Sequence, residues 1–181
     1  MFTNNWFEIT AIRNFEKYVL PLAKLENTYF LEVGCYEGRA TVWLLENTKA
    51  DITVIDTFKG GEDLPDEKNL LARFEENIEP YKKRLVILQG TSQEELKPLK
   101  AEGYDFIYID GSHLAKNVLE DAVLAFPLLK KGGIMIFDDY TWGQGMSPTD
   151  IPATGINAFI YVYGNQIKIL EKNSQAIIKK N

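Results

Sequence analysis

The strongest constraint on this chain is a repeated alternation. Short apolar runs of strand length recur along it, each separated from the next by a segment with helical spacing. The runs are 29–33 (YFLEV), 51–56 (DITVID), 84–89 (RLVILQ), 105–110 (DFIYID) and 133–139 (GIMIFDD). They are apolar almost throughout rather than at every second residue, which predicts parallel strands covered on both faces. Between them lie GRATVWLLEN, DEKNLLARFEENI, SQEELKPLK and LAKNVLEDAVLAFPLL. The second of these puts Leu70, Leu71, Phe74 and Ile78 on one face, and the fourth does the same with Leu114, Val118, Ala122, Phe126 and Leu129. Ser92 followed by Glu95 reads as a capping box. Pro127 tightens the end of the fourth helix, Lys130 and Lys131 suit its C-terminus, and Gly132 suits its cap. Strand and helix in alternation predict an α/β, doubly wound sheet with right-handed crossovers. A further helix is expected over WFEITAIRNFEKYVLPLA, before the first strand. The tail departs from the alternation: INAFIYVYG suits a helix, and QIKILEK and SQAIIKK suit a terminal antiparallel hairpin.

A chain of 181 residues builds one full core. The expected organisation is a single domain over 1–181, with a helical extension at 1–27 and the core at 28–181. The net charge of −6 and the scattered lysines argue against nucleic-acid and anionic-membrane partners, which require a basic stripe. The N-terminus carries no signal-peptide pattern, and no run approaches the ~20 apolar residues that span a bilayer. With one cysteine, Cys35, the chain has no internal disulfide and no four-cysteine metal site, and a cytoplasmic setting is expected.

Chemistry-bearing residues gather after the strands. Glu32-Val33-Gly34-Cys35-Tyr36-Glu37-Gly38 follows the first, a G-x-x-x-G loop that differs from dinucleotide fingerprints and from a P-loop. Such a loop lets the backbone approach a ligand, and the helix after it favours an anionic group such as a carboxylate. Asp56 ends the second strand, where an acidic residue either grips a ribose diol or caps the turn before Gly60-Gly61. Loop and aspartate together point to a nucleoside-containing ligand. Asp110, Asp138 and Asp139 end two further strands, with His113, the single histidine, three residues after Asp110. Three converging carboxylates repel unless neutralised, and a hard divalent ion such as Mg²⁺ does this through oxygen ligands. The alternative is a metal-free site in which FDDY is a polar strand end. An imidazole near neutrality suits a general base; it also suits a helix cap.

These segments resemble class I S-adenosylmethionine-dependent methyltransferases. FLEVGCYEGRATVWL, VIDTFKGGED, YDFIYIDGSHLAKNVLEDAVLAFPLLKKGGIMIFDDY and GINAFIYVYGNQIKILEKNSQAIIKK are similar, in order and spacing, to motifs of methyltransferase family 24. The first also resembles the catechol and caffeoyl-CoA O-methyltransferases. The resemblance covers nearly the whole chain. It implies a Rossmann-like sheet of seven strands in the order 3-2-1-4-5-7-6, with the seventh antiparallel.

It also implies that Glu32, Gly34, Tyr36 and Gly38 surround the methionine end of S-adenosylmethionine. Asp56 would hold its ribose, Thr57 and Phe58 would border the adenosine, and Thr91, Ser92 and Gln93 would approach the adenine. Ala40 stands where catechol-type enzymes have serine. Asp110, Asp138 and Asp139 match the Mg²⁺ ligands of metal-dependent relatives, with Asp110 also beside the cofactor. His113 stands where those relatives carry lysine as the proposed base. The expected activity is metal-assisted O-methylation of a small-molecule hydroxyl, with Asp110 and His113 in catalytic roles. Trp6, Phe7, Trp142 and the segment 140–155 are candidate acceptor contacts, and a homodimer is expected by family habit. A metal-independent methyltransferase and a non-catalytic cofactor- or nucleoside-binding module are the alternatives.

Overall fold

The computed structural model describes residues 2–61 and 68–181. The start of the helix expected over 66–78 lies outside these residues. Seven strands among the described residues form one sheet: β1 Tyr29–Val33, β2 Asp51–Asp56, β3 Leu85–Gln89, β4 Tyr104–Ile109, β5 Leu129–Phe137, β6 Ile167–Lys172 and β7 Ala176–Lys180. Their order is β3-β2-β1-β4-β5-β7-β6. The strands from β3 to β5 pair in parallel, and β7 runs antiparallel to both β5 and β6. This is the order expected from the sequence.

Alternate residues of each central strand serve two separate cores. Phe30, Ile52, Val54, Phe106, Tyr108, Ile134 and Ile136 face α3 (Arg39–Asn47), α4 (Leu70–Ile78) and the N-terminal segment. Leu31, Val33, Ile107, Ile109, Met135 and Phe137 face α6 (Ala115–Ala125) and α7 (Pro152–Tyr163). Burial on both faces explains why these strands read as continuous apolar runs.

The N-terminal helix is less regular than expected. It comprises α1 (Trp6–Thr10), α2 (Ile12–Asn14), a wide turn over Phe15–Val19 and a 3₁₀ turn over Leu20–Lys24. Packing explains the break. Phe15 is fully buried and meets the rings of Phe7, Trp43, Phe106 and Tyr108 edge-on, at centroid distances of 4.9–5.7 Å. The local backbone accommodates that cluster instead of its own ideal geometry.

Two local expectations are corrected. The cap of α5 (Ser92–Glu95) is Thr91, whose hydroxyl meets Glu94 at 2.9 Å; Ser92 lies inside the helix. Lys130, Lys131 and Gly132 do not close α6 but belong to β5. Pro127 sits in a 3₁₀ turn over Phe126–Leu128 that delivers the chain directly into the strand, and Lys130 there donates to Asp105 at 2.7 Å.

Helices α6 and α7 touch backbone to backbone at Gly155, where an added Cβ would fall on the Ala115 carbonyl. Gly155→Ala is therefore expected to destabilise the fold by about 3 kcal/mol, the upper end of overpacking costs. Gly164→Ala, in open space, should be neutral or stabilise by ~0.4–1 kcal/mol. Urea midpoints of the two variants test this contrast.

Candidate active site

The crevice lies at the carboxyl ends of β1 and β4, where the following helices leave on opposite faces of the sheet. The strand ends are knit together there. Gly34 donates to Ile55 O (2.8 Å), Asp110 to Val33 O (2.8 Å) and Asp138 to Ile109 O (3.0 Å). Gly34 has a φ of +82°, and an added Cβ would overlap the Asp110 carbonyl and Gly111. Glycine is required by conformation and by space together.

Asp56 fixes the loop above. Its Oδ2 accepts the amides of Cys35 (2.8 Å) and Tyr36 (2.9 Å), and its Oδ1 that of Phe58 (2.6 Å). Tyr36 and Phe58 both have positive φ, 48° and 54°, so the carboxylate holds two strained residues in place. Glu37 is buried; it accepts both the amide and the hydroxyl of Thr3 at 2.8 Å and faces Arg73 at 3.3 Å. Through it the glycine loop anchors the N-terminus. Glu32 is buried beneath the loop and accepts the Thr41 hydroxyl at 2.6 Å. Burial pushes its carboxyl up to about 8.

Two cavities meet at Tyr36, Gly61, Asp110 and Gly111. The first, about 340 Å³, is walled by Asp56, Thr57, Thr91, Ser92, Asn117 and Asp121. The second, about 650 Å³, is more apolar, and Trp6, Phe7, Ile9, Tyr36 and Trp142 line it. Glu32, His113, Asp138 and Asp139 also face the second cavity.

The carboxylates expected to converge do so. Asp138 accepts the buried Tyr108 hydroxyl and the Asp139 amide, the latter at 2.7 Å. Burial, then the neighbouring Asp139, raises Asp138 to about 6. Asp110 opens onto both cavities and is exposed there; the surrounding protein, then Asp138 and Asp139, pushes its carboxyl well above the usual range. His113 Nε2 lies 2.8 Å from Asp139 Oδ2, and its ring lies over Trp142 with centroids 4.2 Å apart. Asp139 has a φ of 55°, an uncommon conformation that turns it toward the histidine.

These geometries match a known pattern. The family model described as "Methyltransferase domain" matches residues 31–140. The chain belongs to methyltransferase family 24. Among curated proteins it is 26% identical over 159 residues to the uncharacterized protein R132 of Acanthamoeba polyphaga mimivirus, covering 78% of this chain and 66% of that one. The chain thus spans about two thirds of that relative's length. The O-methyltransferase of Bacillus cereus, solved with S-adenosylhomocysteine, superposes with a TM-score of 0.66 at 18% identity, covering 96% of this chain and 88% of the other. The O-methyltransferase TomG of Streptomyces achromogenes, involved in tomaymycin synthesis and solved with S-adenosylmethionine, gives 0.68 at 14%, covering 90% and 78%. The fold is that of S-adenosylmethionine-dependent O-methyltransferases.

Within this family fold, Gly34, Tyr36, Asp56, Thr57, Thr91, Ser92, Gln93 and Asp110 line the first cavity, and Glu32, His113, Asp138 and Asp139 the second. Two residues expected at the cofactor do not line either cavity. Phe58 is buried against Phe74 (centroids 5.1 Å) and contributes its amide to Asp56. Gly38 opens α3 with a φ of 81°, and the Phe74 ring fills the space its Cβ would take. Asp56 adopts the capping role that the sequence left open. Glu37 and Asp121 were not singled out in the sequence; a buried acid inside a loop or helix differs from a surface acid only in its surroundings.

The expected Mg²⁺ set is not preformed. Among the described residues no group of three or more His, Cys, Asp or Glu side chains is arranged to hold an ion. The reason is local: Asp138 is committed to Tyr108 and Asp139 to His113.

Glu32 gives the site a pH signature. Its carboxyl rises from an ordinary 4.5 to about 8, so the folded state holds a proton that the unfolded state releases. This contribution to stability is full below about 4.5 and is lost as pH rises through about 8. The ligand-free melting temperature should fall between those values, and Glu32→Gln should flatten the fall. An unchanged slope in Glu32→Gln would place the titration elsewhere.

Proposed function

We propose that this chain is an S-adenosylmethionine-dependent O-methyltransferase acting on a hydroxyl of a small molecule. The observation that carries this is the junction of the two cavities: a polar one beside Asp56 and Ser92, and a larger aromatic one, meeting at Tyr36, Asp110 and Gly111. Such a division suits a nucleoside-bearing donor on one side and an acceptor on the other. The bound S-adenosylmethionine and S-adenosylhomocysteine of the two similar enzymes support the same reading.

When bound, the cofactor supplies an electrophilic methyl group on its sulfonium. Glu32, Gly34 and Tyr36 would hold its methionine end, with Asp110 beside it. Asp56 faces the ribose, with one oxygen accepting a single amide and therefore retaining capacity. The acceptor enters the cavity that Trp6 and Trp142 line. His113 removes the hydroxyl proton. The 2.8 Å contact between its Nε2 and Asp139 orients the imidazole, and Trp142 holds the ring plane. With that proton held by His113, the hydroxyl oxygen would be poised to take the methyl group, the sulfonium sulfur leaving as a neutral thioether. Alignment of the two cavities supplies much of the rate.

A second reading, a divalent ion on Asp110, Asp138 and Asp139, is favoured by the raised carboxyls of Asp110 and Asp138, which a cation would relieve. The observed pairings favour the metal-free course.

Calorimetry should detect S-adenosylmethionine binding, and absence of binding would sink the proposal. Against a panel of phenolic and sugar hydroxyls, His113→Gln should lower kcat by roughly 10²–10⁴-fold with cofactor affinity unchanged. Turnover should survive EDTA. Turnover that requires added Mg²⁺ would select the second reading, and cofactor binding with no turnover would favour a non-catalytic module.

A further inference from the structure

The sheet has two outer edges, β6 on one side and β3 on the other, and they are built differently. An edge strand offers unpaired N–H and C=O groups to any other strand. Proteins that keep such an edge single blunt it with charge, proline or a bulge. β6 is blunted twice over. Lys168, Glu171 and Lys172 stand along it, and its register with β7 shifts between Ile169 and Glu171. β3 has neither device. Leu85–Gln89 contains no charge and no proline, and its pairing with β2 runs unbroken from Leu85 to Gln89. Among the described residues no strand pairs with its outer side.

The faces of β3 are also thinly covered. None of its residues is buried, although all but Gln89 are apolar, and Val86 is 55% exposed. A flat, apolar, uncharged edge of this kind is a template for a further strand.

That edge is complementary to itself. A two-fold axis at Ile87 pairs two copies antiparallel, with Leu85 opposite the partner's Gln89 and Val86 opposite the partner's Leu88. The flanks then match in charge. Exposed Lys82 and Lys83 precede β3, and Glu94 and Glu95 follow it in the first turn of α5. Lys82 also pairs with Glu79 in its own turn, so Lys83 is the better placed of the two. Antiparallel pairing sets the basic end of each copy toward the acidic end of the other, and the symmetry makes this match twice. Self-complementarity of both pattern and charge favours a second copy of this chain over an unrelated strand.

We propose that β3 is the interface of a two-fold homodimer, in which the sheets of two copies join edge to edge.

Sedimentation velocity on the full chain tests this. Up to about 100 μM, where even a micromolar interface is filled, the species should reach twice the 20.7 kDa chain mass. Val86→Lys places a charge on the open edge and should weaken association by at least about tenfold. Ile169→Lys, on the edge already blunted, should leave association unchanged. If Val86→Lys fails to fold by thermal melt, amide exchange on the unmodified protein decides. β3 should gain protection as concentration rises through the dimer transition, and β6 should not. A protein that stays monomeric overturns the proposal. So does a dimer that folded Val86→Lys leaves intact, or one whose formation brings no protection to β3.

Discussion

The site depends on a contact in which no side chain takes part. At the ends of β1 and β4 the backbone of Gly34 lies against that of Asp110 and Gly111, with no room for a Cβ between them. Because the strands close to that distance, Asp110 stands beside the glycine loop instead of a side chain's width away. The two cavities therefore share a boundary at Tyr36, Asp110 and Gly111. In a methyl-transfer site a shared boundary is what matters, since donor and acceptor atoms must approach within van der Waals contact. The remaining anchors, Asp56 on three amides and Glu37 on Thr3, keep the loop above from relaxing away from that seam.

Much of the fold was legible because burial on both faces leaves a plain mark on sequence. The five parallel strands and the terminal hairpin follow from apolar runs and their bounding turns. What failed was local and had tertiary causes. The N-terminal helix distorts around Phe15 because four aromatic rings converge on that side chain. Lys130 and Lys131 look like the basic end of a helix, yet β5 has already begun, and only pairing with β4 across the sheet reveals it. In the site, strand-end positions carried enough information to place Asp56, Asp110, Asp138 and Asp139 in the crevice. Phe58, expected to border the adenosine, has a positive φ and packs its ring against Phe74, a tertiary contact that the sequence does not display. Asp121 was missed because an acid inside an amphipathic helix looks like any solvated one.

The carboxylates show how one cluster serves different chemistries. Asp110, Asp138 and Asp139 crowd together, and the cost appears as carboxyls raised by burial and mutual repulsion. Repulsion of this kind is relieved by protonation, by a cation or by partners that donate hydrogen bonds. Here the Tyr108 hydroxyl and the Asp139 amide meet Asp138, and His113 meets Asp139.

The acceptor side of the crevice also constrains how the molecule comes into being. Asn14, the last residue of α2, donates its side-chain amide to Asn173 at 3.0 Å and to Gln175 at 2.9 Å, bridging separations of 159 and 161 residues. Ser174, in the same turn, donates to Thr10 O at 2.8 Å and accepts the Tyr140 amide. During synthesis the segment carrying Trp6 emerges well before the hairpin it docks on. The core sheet can pair from β1 to β5 before then, but the aromatic wall cannot lock until the hairpin arrives. Closure over so long a loop is slow relative to local structure. Newly made chains therefore pass through a stage in which the strands are assembled and the acceptor chamber still lacks a side.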